Sequence, residues 1–468
     1  MAPLGEEKKR LILTAAFDLA LRRLGADRAA TMQRFLACFY DHVAAADLEG
    51  RCADELYGAA SSLWQFAQQR PPGKAKLRVF NPRAAAEGWT ARRTIVEIVN
   101  DDMPFLVDTV GMALAAEGVA VHLIIHPVMR ILRDAQGRIV QLRDNDESDG
   151  APESLMRVEI GELHDEARLA AIVARLEAAL ADTRAAVADW QKMRDALAET
   201  GAALASERPP LAASELAETQ DFLAWLDDDN FTFLGCRDYR FDAAAGSLAP
   251  GLGIMRDPSF ALFDGLRNFA ALSPPLQAFL RASHALFITK SNRRATVHRA
   301  ARMDAIGVKQ FDAEGRVLGM RVFLGLFTSL AYSRPAHATP FIRVKVAGVL
   351  ARSGFDPHGH DGKALAHILE TFPRDELFQV SEDDLYDIAM GILGLQERRR
   401  VALFLRRDPF GRLVSCFVYL PRERYGTALR RQLGALLEEA FGAKIDGFDV
   451  HLGDSVLGSV LNKDSGVG

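Results

Sequence analysis

The spacing of apolar residues changes along residues 94–134, and each spacing predicts a different element. Residues 94–99 form a short apolar run rich in β-branched side chains, which is typical of a buried strand. Apolar residues then recur at helical spacing from Leu106 to Leu114, and Gly118 marks the predicted end of that helix. From Val119 the spacing falls to two residues, which predicts a long strand. The predicted order is strand, tight loop, helix and strand.

The loop before this helix has the composition of a ligand site. Asp102 is the predicted N-cap, and Pro104 fits the first helical turn, where its missing N–H is not needed. Free amides at a helix N-terminus favour a carboxylate, while Asp101 or Asp102 could pair with an ammonium group. We therefore interpret Asn100, Asp101, Asp102, Met103 and Pro104 as candidate ligand-binding residues for an amino acid. A capped turn that binds nothing explains the same residues, and both interpretations stay open here.

The first part of the chain divides into a helical segment and a mixed domain. Residues 6–69 keep helical spacing until an Arg-Pro-Pro-Gly sequence interrupts it, so residues 1–75 are predicted to be a helical N-terminal segment. Beyond residue 134, two more apolar runs predict strands, and Asp165 is the predicted cap of a further helix. This order fits a ferredoxin-like sheet with helices on one face, which we assign to residues 76–207.

The second part of the chain predicts two further domains. Residues 208–335 begin with a helix and continue into long, mostly antiparallel strands, which favours a PAS-like α+β domain. Residues 336–457 read as helices followed by the order strand, strand, helix, strand, which is most of a second ferredoxin-like unit. Residues 458–468 turn polar, and we predict an unstructured tail there, cut from a longer chain. The predicted class is α+β, with two ferredoxin-like domains flanking the PAS-like one.

One six-residue motif occurs three times, with Asp near its start and Gly near its end. The copies are RDAQGR at residues 133–138, FDAEGR at 311–316 and RDPFGR at 407–412. Asp favours the first position of a turn, and Gly accepts the left-handed conformation that closes a hairpin. We predict a hairpin tip at each copy, and we interpret the likeness as shared turn chemistry rather than duplication.

Composition narrows the classes of function. The chain is 49% hydrophobic and 25% charged with a formal charge of −5, so it has no domain-wide basic surface for nucleic acid. No uncharged apolar stretch is long enough to cross a bilayer, which predicts no membrane partner. The four cysteines lie far apart and form no metal or disulfide motif, so we predict reduced core thiols in a cytoplasmic protein.

No sequence motif predicts a catalytic, cofactor-binding or metal-binding residue. The best glycine-rich candidate for NAD, Gly251-Leu-Gly253, lacks the third glycine and a clear following helix, so we interpret it as a loop. His122 and His126 would lie about 13 Å apart on one strand, too far to share an ion. The His358-Gly-His360-Asp361 phrase could bind zinc, but Asp361 is better placed as a helix N-cap.

Several long motifs resemble one family in the same order along the chain. They are TIVEIVNDDMPFLVDTVGMALAAEGVAVHLIIHPVMRILRD (94–134), FLAWLDDDNFTFLGCRDY (222–239), GLGIMRDP (251–258), TVHRAARMDAIGVKQFD (296–312), FLGLFTSLAY (323–332), HDGKALAHILETFPRDELFQ (360–379) and SCFVYLPRERY (415–425). Together they resemble the N-terminal region of the large bacterial NAD-dependent glutamate dehydrogenases. That resemblance implies ACT-type regulatory domains, a PAS-like domain, and a loop at residues 100–104 in the position where ACT domains bind effectors.

The resemblance implies a function for the whole family rather than for this chain. The family oxidises L-glutamate to 2-oxoglutarate and ammonia with NAD, and its dehydrogenase domain lies beyond the point matched by residue 468. We therefore predict a regulatory and assembly region that binds no cofactor itself, forms a homo-oligomer and acts on the catalytic region of the same enzyme family. A free-standing amino-acid sensor that acts on a partner protein is the alternative. A complete dehydrogenase would need an NAD-binding motif that we do not find, and whether the chain alone is an enzyme stays open.

Overall fold

The computed structural model divides the chain into two compact units. It describes residues 3–143, 147, 149–207, 209–241, 249–260, 269–395, 400–452 and 457–465. Unit 1 consists of Met1–Ala188 together with Ala295–Ala301, and unit 2 consists of Asp189–Arg294 and Arg302–Gly468. Helices and strands are mixed in both units. Among the helices of the described residues, none has the length and apolar character that crossing a membrane requires.

Unit 1 contains six helices and six strands within the described residues. The helices are α1 (Pro3–Leu24), α2 (Ala26–Tyr40), α3 (Ala53–Ala67), α4 (Ala84–Glu87), α5 (Leu106–Ala116) and α6 (Glu166–Ala188). The strands are β1 (Lys76–Phe80), β2 (Thr94–Asp101), β3 (Val121–Ile125), β4 (Val128–Arg133), β5 (Ile139–Arg143) and β6 (Ala151–Ile160). The long strand predicted from Val119 is wrong, since it is broken into β3 and β4 at Pro127, which lacks the N–H that a strand ladder needs.

The sheet of unit 1 is antiparallel, in the order β1-β2-β6-β4-β5, with β3 also paired to β6. Strand β6 therefore lies between β2 and β3, and helix α5 makes the crossover between those two strands. This arrangement is a split βαβ unit of the ferredoxin-like kind. The outer position next to β2 is taken by β1, which precedes the βαβ unit in sequence.

Helices cover both faces of this sheet: α5 and α6 of the ferredoxin-like unit share one face, as predicted, and the N-terminal helices α1, α2 and α3 cover the other. Val96 and Ile98 of β2 pack in a core with α5 and α6. Val99, at the alternate position of the same strand, packs in a second core with α1, α2 and α3. Every residue of β2 up to Asn100 is buried, because a strand covered on both faces has no solvent side.

Unit 2 contains the remaining elements. Its helices are α7 (Trp190–Glu207), α8 (Ala213–Trp225), α9 (Pro274–Arg281), α10 (Ser329–Ser333), α11 (Ile342–Ser353), α12 (His360–Thr371), α13 (Arg374–Gln379), α14 (Glu382–Leu395) and α15 (Thr427–Phe441). Its strands are β7 (Phe231–Arg240), β8 (Leu252–Gly253), β9 (Leu286–Arg294), β10 (Arg302–Phe311), β11 (Val317–Phe327), β12 (Ala402–Arg407), β13 (Leu413–Pro421), β14 (Lys444–Leu452) and β15 (Leu457–Ser465).

The strands of unit 2 form two antiparallel sheets, in the orders β8-β7-β11-β10-β9 and β12-β13-β15-β14. One apolar core contains Phe231 and Phe327 of the first sheet together with Leu365 and Phe378 of the helices that follow it. In the second sheet, β15 lies between β13 and β14, and α15 connects those two strands.

The unstructured tail predicted at residues 458–468 is wrong for residues up to Ser465. Strand β15 (Leu457–Ser465) pairs along its whole length with β13, and it also pairs with β14. Residues 466–468 lie outside the described residues. Backbone hydrogen bonds to two neighbouring strands hold this polar segment, and such bonds do not depend on apolar periodicity. The sequence pattern therefore gave no sign of the strand.

The three copies of the six-residue motif form hairpin tips, as predicted. Their glycines have left-handed φ angles: Gly137 (77°), Gly315 (80°) and Gly411 (68°). Asp134 Oδ1 accepts the amides of Gln136 and Arg138, and Asp312 Oδ1 accepts those of the residues at the same positions of its own turn. The aspartate thus closes each tip through its side chain, which is the turn chemistry expected of this residue.

Cysteine placement differs in part from the prediction. Cys236 and Cys416 are buried, as predicted for core thiols, but Cys38 and Cys52 are exposed. None of the four cysteines is in a disulfide bond. Burial raises the pKa of the Cys236 thiol to about 12, so that side chain behaves as a small apolar residue.

Candidate functional site

The candidate loop joins the end of β2 to the start of α5. The helix begins at Leu106, and its N-cap is Phe105, which has φ = 72° and makes no side-chain cap hydrogen bond. The prediction that Asp102 caps the helix is therefore wrong. Asp102 lies too far before the helix, where its amide donates to Pro152 O at 3.0 Å and its side chain is exposed. Pro104 likewise precedes the helix rather than opening it.

Arginines hold the β2 end of the loop. Asp101 accepts hydrogen bonds from Arg70 Nη2 at 2.5 Å and from Arg184 Nη1. Burial would raise the pKa of Asp101, but the hydrogen bonds from Arg70 and Arg184 outweigh it and leave that pKa below its usual value. Arg70 also pairs with the buried Glu153 at 3.1 Å. Asp101 is therefore part of a fixed ion-pair cluster, which leaves Asp102 as the exposed carboxylate of the loop.

Asn100 is a buried residue with an unused hydrogen-bond donor. Its side chain is only 1% exposed, and its Oδ1 accepts a hydrogen bond from Arg184. Its Nδ2 is buried and has no hydrogen-bond partner among the described residues. A buried amide donor without an acceptor is costly, so such a group in a native fold calls for an explanation.

A residue distant in sequence completes the site. The ring centroid of His298 lies 5.0 Å from that of Phe105, and its Nδ1 lies 3.3 Å from Asp108 Oδ2. The amide of His298 donates to Thr109 Oγ1 at 3.3 Å. All of these residues belong to unit 1, because residues 295–301 belong to that unit. Nothing in the local spacing of apolar residues pointed to His298, although it lies in one of the motifs that resembled the family.

Backbone strain concentrates at this point. Among the described residues, four that are not glycine have positive φ: Phe105, Asp229, His298 and Phe341. Two of them, Phe105 and His298, are in ring contact at the start of α5. For side chains of this size the left-handed conformation costs energy, and such strain persists where the surroundings enforce it, often at functional sites.

His126, in the break between β3 and β4, interacts electrostatically with Asp102 of the loop. Burial lowers the pKa of His126, and the carboxylate of Asp102 opposes this with a smaller effect. His126 Nε2 lies 2.6 Å from Ser154 Oγ, whereas His122 is exposed. A neutral imidazole beside Asp102 leaves that carboxylate charge uncompensated by His126, which favours a positively charged ligand group there.

The remaining sequence candidates have structural roles. Gly253 has φ = 60°, and its amide donates to Asp189 Oδ2 at 2.9 Å rather than facing an open cleft. Only a three-residue 3-10 turn follows it, so the helix N-terminus that would hold a pyrophosphate is missing at that loop. Asp361 is not the N-cap of α12, because that helix begins one residue earlier and Gly359 occupies the cap. Within the described ranges, no three His, Cys, Asp or Glu side chains are grouped closely enough to hold a metal ion.

The loop thus offers three kinds of group to a small zwitterion. They are the backbone amides at the start of α5, the exposed carboxylate of Asp102 and the unused donor of Asn100. Amides at a helix N-terminus and a side-chain amide both bind a carboxylate, whereas Asp102 binds a cation.

Three family models match separate parts of the chain. Residues 35–176 match "Glutamate dehydrogenase, ACT1 domain", residues 339–398 match "Glutamate dehydrogenase, helical motif 1" and residues 402–461 match "Glutamate dehydrogenase, ACT2 domain". The ACT1 match includes the candidate loop, and the ACT2 match includes β12, β13, β14 and the first half of β15 in the second sheet of unit 2.

Three relatives of this chain share the same protein name. The NAD-specific glutamate dehydrogenase of Halomonas elongata is 36% identical, and the match covers 98% of this chain but 29% of that protein. The NAD-specific glutamate dehydrogenases of Pseudomonas aeruginosa and Mycobacterium tuberculosis are 33% and 27% identical, over 91% and 86% of this chain and 27% and 25% of those proteins. The chain spans less than a third of the length of each of these relatives.

Proposed function

Because this chain belongs to the family of the ACT-containing N-terminal region of NAD-specific glutamate dehydrogenases, we propose that it regulates and assembles such an enzyme. In this proposal the oxidation of glutamate with NAD takes place in the part of the enzyme that this chain does not span. The chain then acts on that catalytic region in glutamate catabolism in the cytoplasm, and it holds no cofactor of its own. The matches to two ACT domain models and the share of each relative that is covered support this proposal.

The proposal extends to the domain plan. The five-stranded antiparallel sheet of β7 to β11 follows helix α8, which is the order expected of a PAS-like domain at residues 208–335. We place the helical segment at residues 1–75, the first ACT domain from residue 76 and the second with its preceding helices at 336–457. The predicted end of the first ACT domain is residue 207, but residues 189–207 belong to unit 2, so we end this domain at residue 188. Sensor domains of this kind bind small molecules or partner domains, which fits a regulatory role.

We propose that unit 1 binds an amino-acid effector at the loop of residues 100–104. The observation that carries this is the strained contact of Phe105 with His298 beside the unused donor of buried Asn100. The effector carboxylate then lies on the α5 amides and the Asn100 amide, and its ammonium pairs with Asp102. Asp101 does not fill this second role, because its oxygens already face Arg70 and Arg184.

We expect the Asp102→Asn variant to lose effector affinity without losing stability. The substitution removes the charge that pairs with the ammonium, and loss of one charge-assisted hydrogen bond lowers affinity about tenfold or more. Calorimetric titration of a panel of amino acids into the wild type and the variant measures this. Asp54→Asn, at an exposed position of unit 1, is the matched control and should leave binding unchanged. An absence of binding heat for every amino acid in the wild type would contradict the effector proposal.

The edge strand of the second sheet supports a role in assembly. Strand β12 pairs only with β13 among the described residues, and its Leu403 and Leu405 are 48% and 45% exposed. Their cross-strand neighbours, Val418 and Cys416, belong to the core under α15. An apolar edge of this kind favours pairing with another chain, and symmetric pairing would give the predicted homo-oligomer.

We expect the double variant Leu403→Lys and Leu405→Lys to shift the protein toward the mass of one chain, 51.3 kDa. Lysines on an edge strand oppose strand pairing, while both positions are exposed enough to accept them without unfolding. Light scattering at micromolar concentration measures the mass. Leu11→Lys, at a 64% exposed position of α1, is the control for added charge. A wild type that already has the mass of one chain would contradict the assembly role of this edge.

The alternative function is a free-standing amino-acid sensor that acts on an unrelated partner protein. It shares the effector site, so effector binding does not separate the two. Addition of the separately produced catalytic region does, because only the regulatory proposal expects its rate of NADH formation from glutamate to change when this chain is added. An unchanged rate with and without effector would favour the free-standing sensor.

A further inference from the structure

A cavity of about 600 Å³ lies within unit 2. It is open to solvent on one side and lined by side chains from α8, α9, β9, α11, α13, α14 and β12, all of which belong to that unit. This volume is in the range of cavities that bind small molecules. The cavity is separate from the loop of residues 100–104, which lies in unit 1.

Most of the cavity wall is apolar and aromatic. Phe279, Phe287, Phe341 and Phe378 line it together with Leu286. Leu286, Phe287 and Phe378 are buried, so this part of the wall is formed by the core itself. Aromatic walls of this kind bind the apolar body of a ligand by dispersion and by exclusion of water.

Three residues that line the cavity each have a buried polar atom without a hydrogen-bond partner among the described residues. The atoms are Arg406 Nη1, Gln379 Oε1 and His284 Nε2. The remaining nitrogens of Arg406 are occupied, since Nε donates to Glu376 Oε2 at 2.6 Å and Nη2 to Ser415 Oγ at 3.1 Å. Arg406 is 3% exposed, so its unused donor cannot be satisfied by bulk water.

Lys345 and three carboxylates of the cavity already have partners, whereas Arg407, which also lines it, is exposed. The Lys345 ammonium donates to Leu377 O, Phe378 O and Val380 O at 2.9 to 3.1 Å. Among the carboxylates, Glu218 is held by Arg343 at 2.7 Å, Glu215 accepts the amide of Ala285, and Asp384 accepts the hydroxyl of Ser381. The unused buried groups are therefore one guanidinium donor, one amide acceptor and one imidazole nitrogen, and the exposed guanidinium of Arg407 is a further cation of the cavity wall.

We propose that this cavity binds a small carboxylic acid with an apolar body, whose carboxylate accepts a hydrogen bond from Arg406 Nη1. The body of the ligand lies against the phenylalanines. The acceptor Gln379 Oε1 suits an amino group on the carbon next to the carboxylate. An aryl-alkanoic acid, a 2-oxo acid and an apolar amino acid share the carboxylate and the body, and the experiment below separates them.

The test is calorimetric titration of the full chain with four probes: phenylpropanoate, phenylpyruvate, L-phenylalanine and phenylpropanol. The three acids should bind at least about tenfold more tightly than the alcohol, because only they form the charge-assisted hydrogen bond to Arg406. L-Phenylalanine should be the tightest if Gln379 Oε1 accepts from an ammonium group. The tightest acid then identifies which of the three classes the site prefers.

Two variants and one control variant test whether the ligand binds in this cavity. Val344 lines the cavity at a 50% exposed position, so Val344→Trp should fill its mouth and abolish binding without unfolding the protein. Leu436→Trp, at a 61% exposed position of α15 that does not line the cavity, should leave binding unchanged. Arg406→Lys retains a cation for Glu376 but has no second donor for the ligand, so affinity for the acids should fall about tenfold or more.

Three outcomes would overturn the proposal. They are no saturable heat from any acid, equal affinity for the alcohol, or wild-type binding by Val344→Trp. If Arg406→Lys does not fold, the Val344→Trp variant and the comparison of the acids with phenylpropanol are sufficient to test the proposal. The result is independent of the loop of unit 1, because Asp102→Asn should leave this binding intact while Val344→Trp should leave effector binding at the loop intact.

Discussion

Replacing Glu97 by alanine is expected to lower the free energy of unfolding of unit 1 by about 3–5 kcal/mol. Glu97 is completely buried on β2, where it accepts hydrogen bonds from Arg78 Nε at 2.8 Å and Arg157 Nη1 at 3.1 Å. Arg157 is 1% exposed and lies over the ring of Trp89, with 4.7 Å from its guanidinium carbon to the ring centroid. Without Glu97 that guanidinium would remain buried with its nearest carboxylate removed, and this is the origin of the cost.

Urea denaturation of the wild type and Glu97→Ala measures this difference, with Asp54→Ala as the matched control. Asp54 pairs with Arg23 at 2.6 Å, a similar distance, but both side chains are about half exposed or more. Its loss should cost no more than about 1 kcal/mol. The double variant Glu97→Met and Arg157→Met should regain much of the stability, because it removes both buried charges together. A cost for Glu97→Ala as small as that for Asp54→Ala would contradict the burial argument.

Elements whose apolar residues recur at a clear period were predictable from the sequence. Strand β2, helix α5 and the turn at Gly118 were predicted close to their observed positions, because the core they share is formed by their own apolar residues. Strand β15 was not predictable, since two ladders of backbone hydrogen bonds hold it. The break at Pro127 could have been predicted from the missing amide, but the continuous alternation of apolar residues masked it.

The strand and the helix on either side of the candidate loop were predicted from the sequence, whereas the N-cap of the helix was assigned to the wrong residue. Local rules gave Asp102 the role of cap, although the cap is a left-handed Phe105 held by His298. The conformation of the loop depends on contacts with residues that are distant in sequence. Arg184 and His298 reach the loop from positions about 80 and about 190 residues further along the chain, and no local propensity encodes those contacts.

The burial of charged residues also could not be predicted from the local sequence pattern. Glu97 and Arg157 occupy strand positions that the alternation of apolar residues would leave polar, and that pattern alone suggests exposure. Packing of α1, α2 and α3 on this face buries them instead, and their mutual pairing makes the burial tolerable. The same sheet is therefore stabilised by apolar contacts on one face and partly by ion pairs on the other.

Lys309 is expected to make the stability of unit 2 rise with pH between about 7 and about 10. This lysine of β10 is 1% exposed, and its ammonium donates to Phe279 O at 3.0 Å and to Ala282 O, carbonyls at the end of α9. Burial lowers the pKa of Lys309 to about 7, and Glu215 opposes this with a smaller effect. In the unfolded chain the lysine keeps its proton up to about pH 10.4.

Between those two values the unfolded state therefore binds more protons than the folded state, so the free energy of unfolding increases with pH. We expect the free energy of unfolding of the wild type to increase by about 2–4 kcal/mol relative to that of Lys309→Met across this pH range. Urea denaturation at several pH values measures it, and Lys363→Met, at an exposed position of α12, accounts for the loss of one positive charge. A difference that stays constant with pH would contradict the lowered pKa, because it would mean that the carbonyls of Phe279 and Ala282 keep the ammonium protonated throughout the range despite its burial.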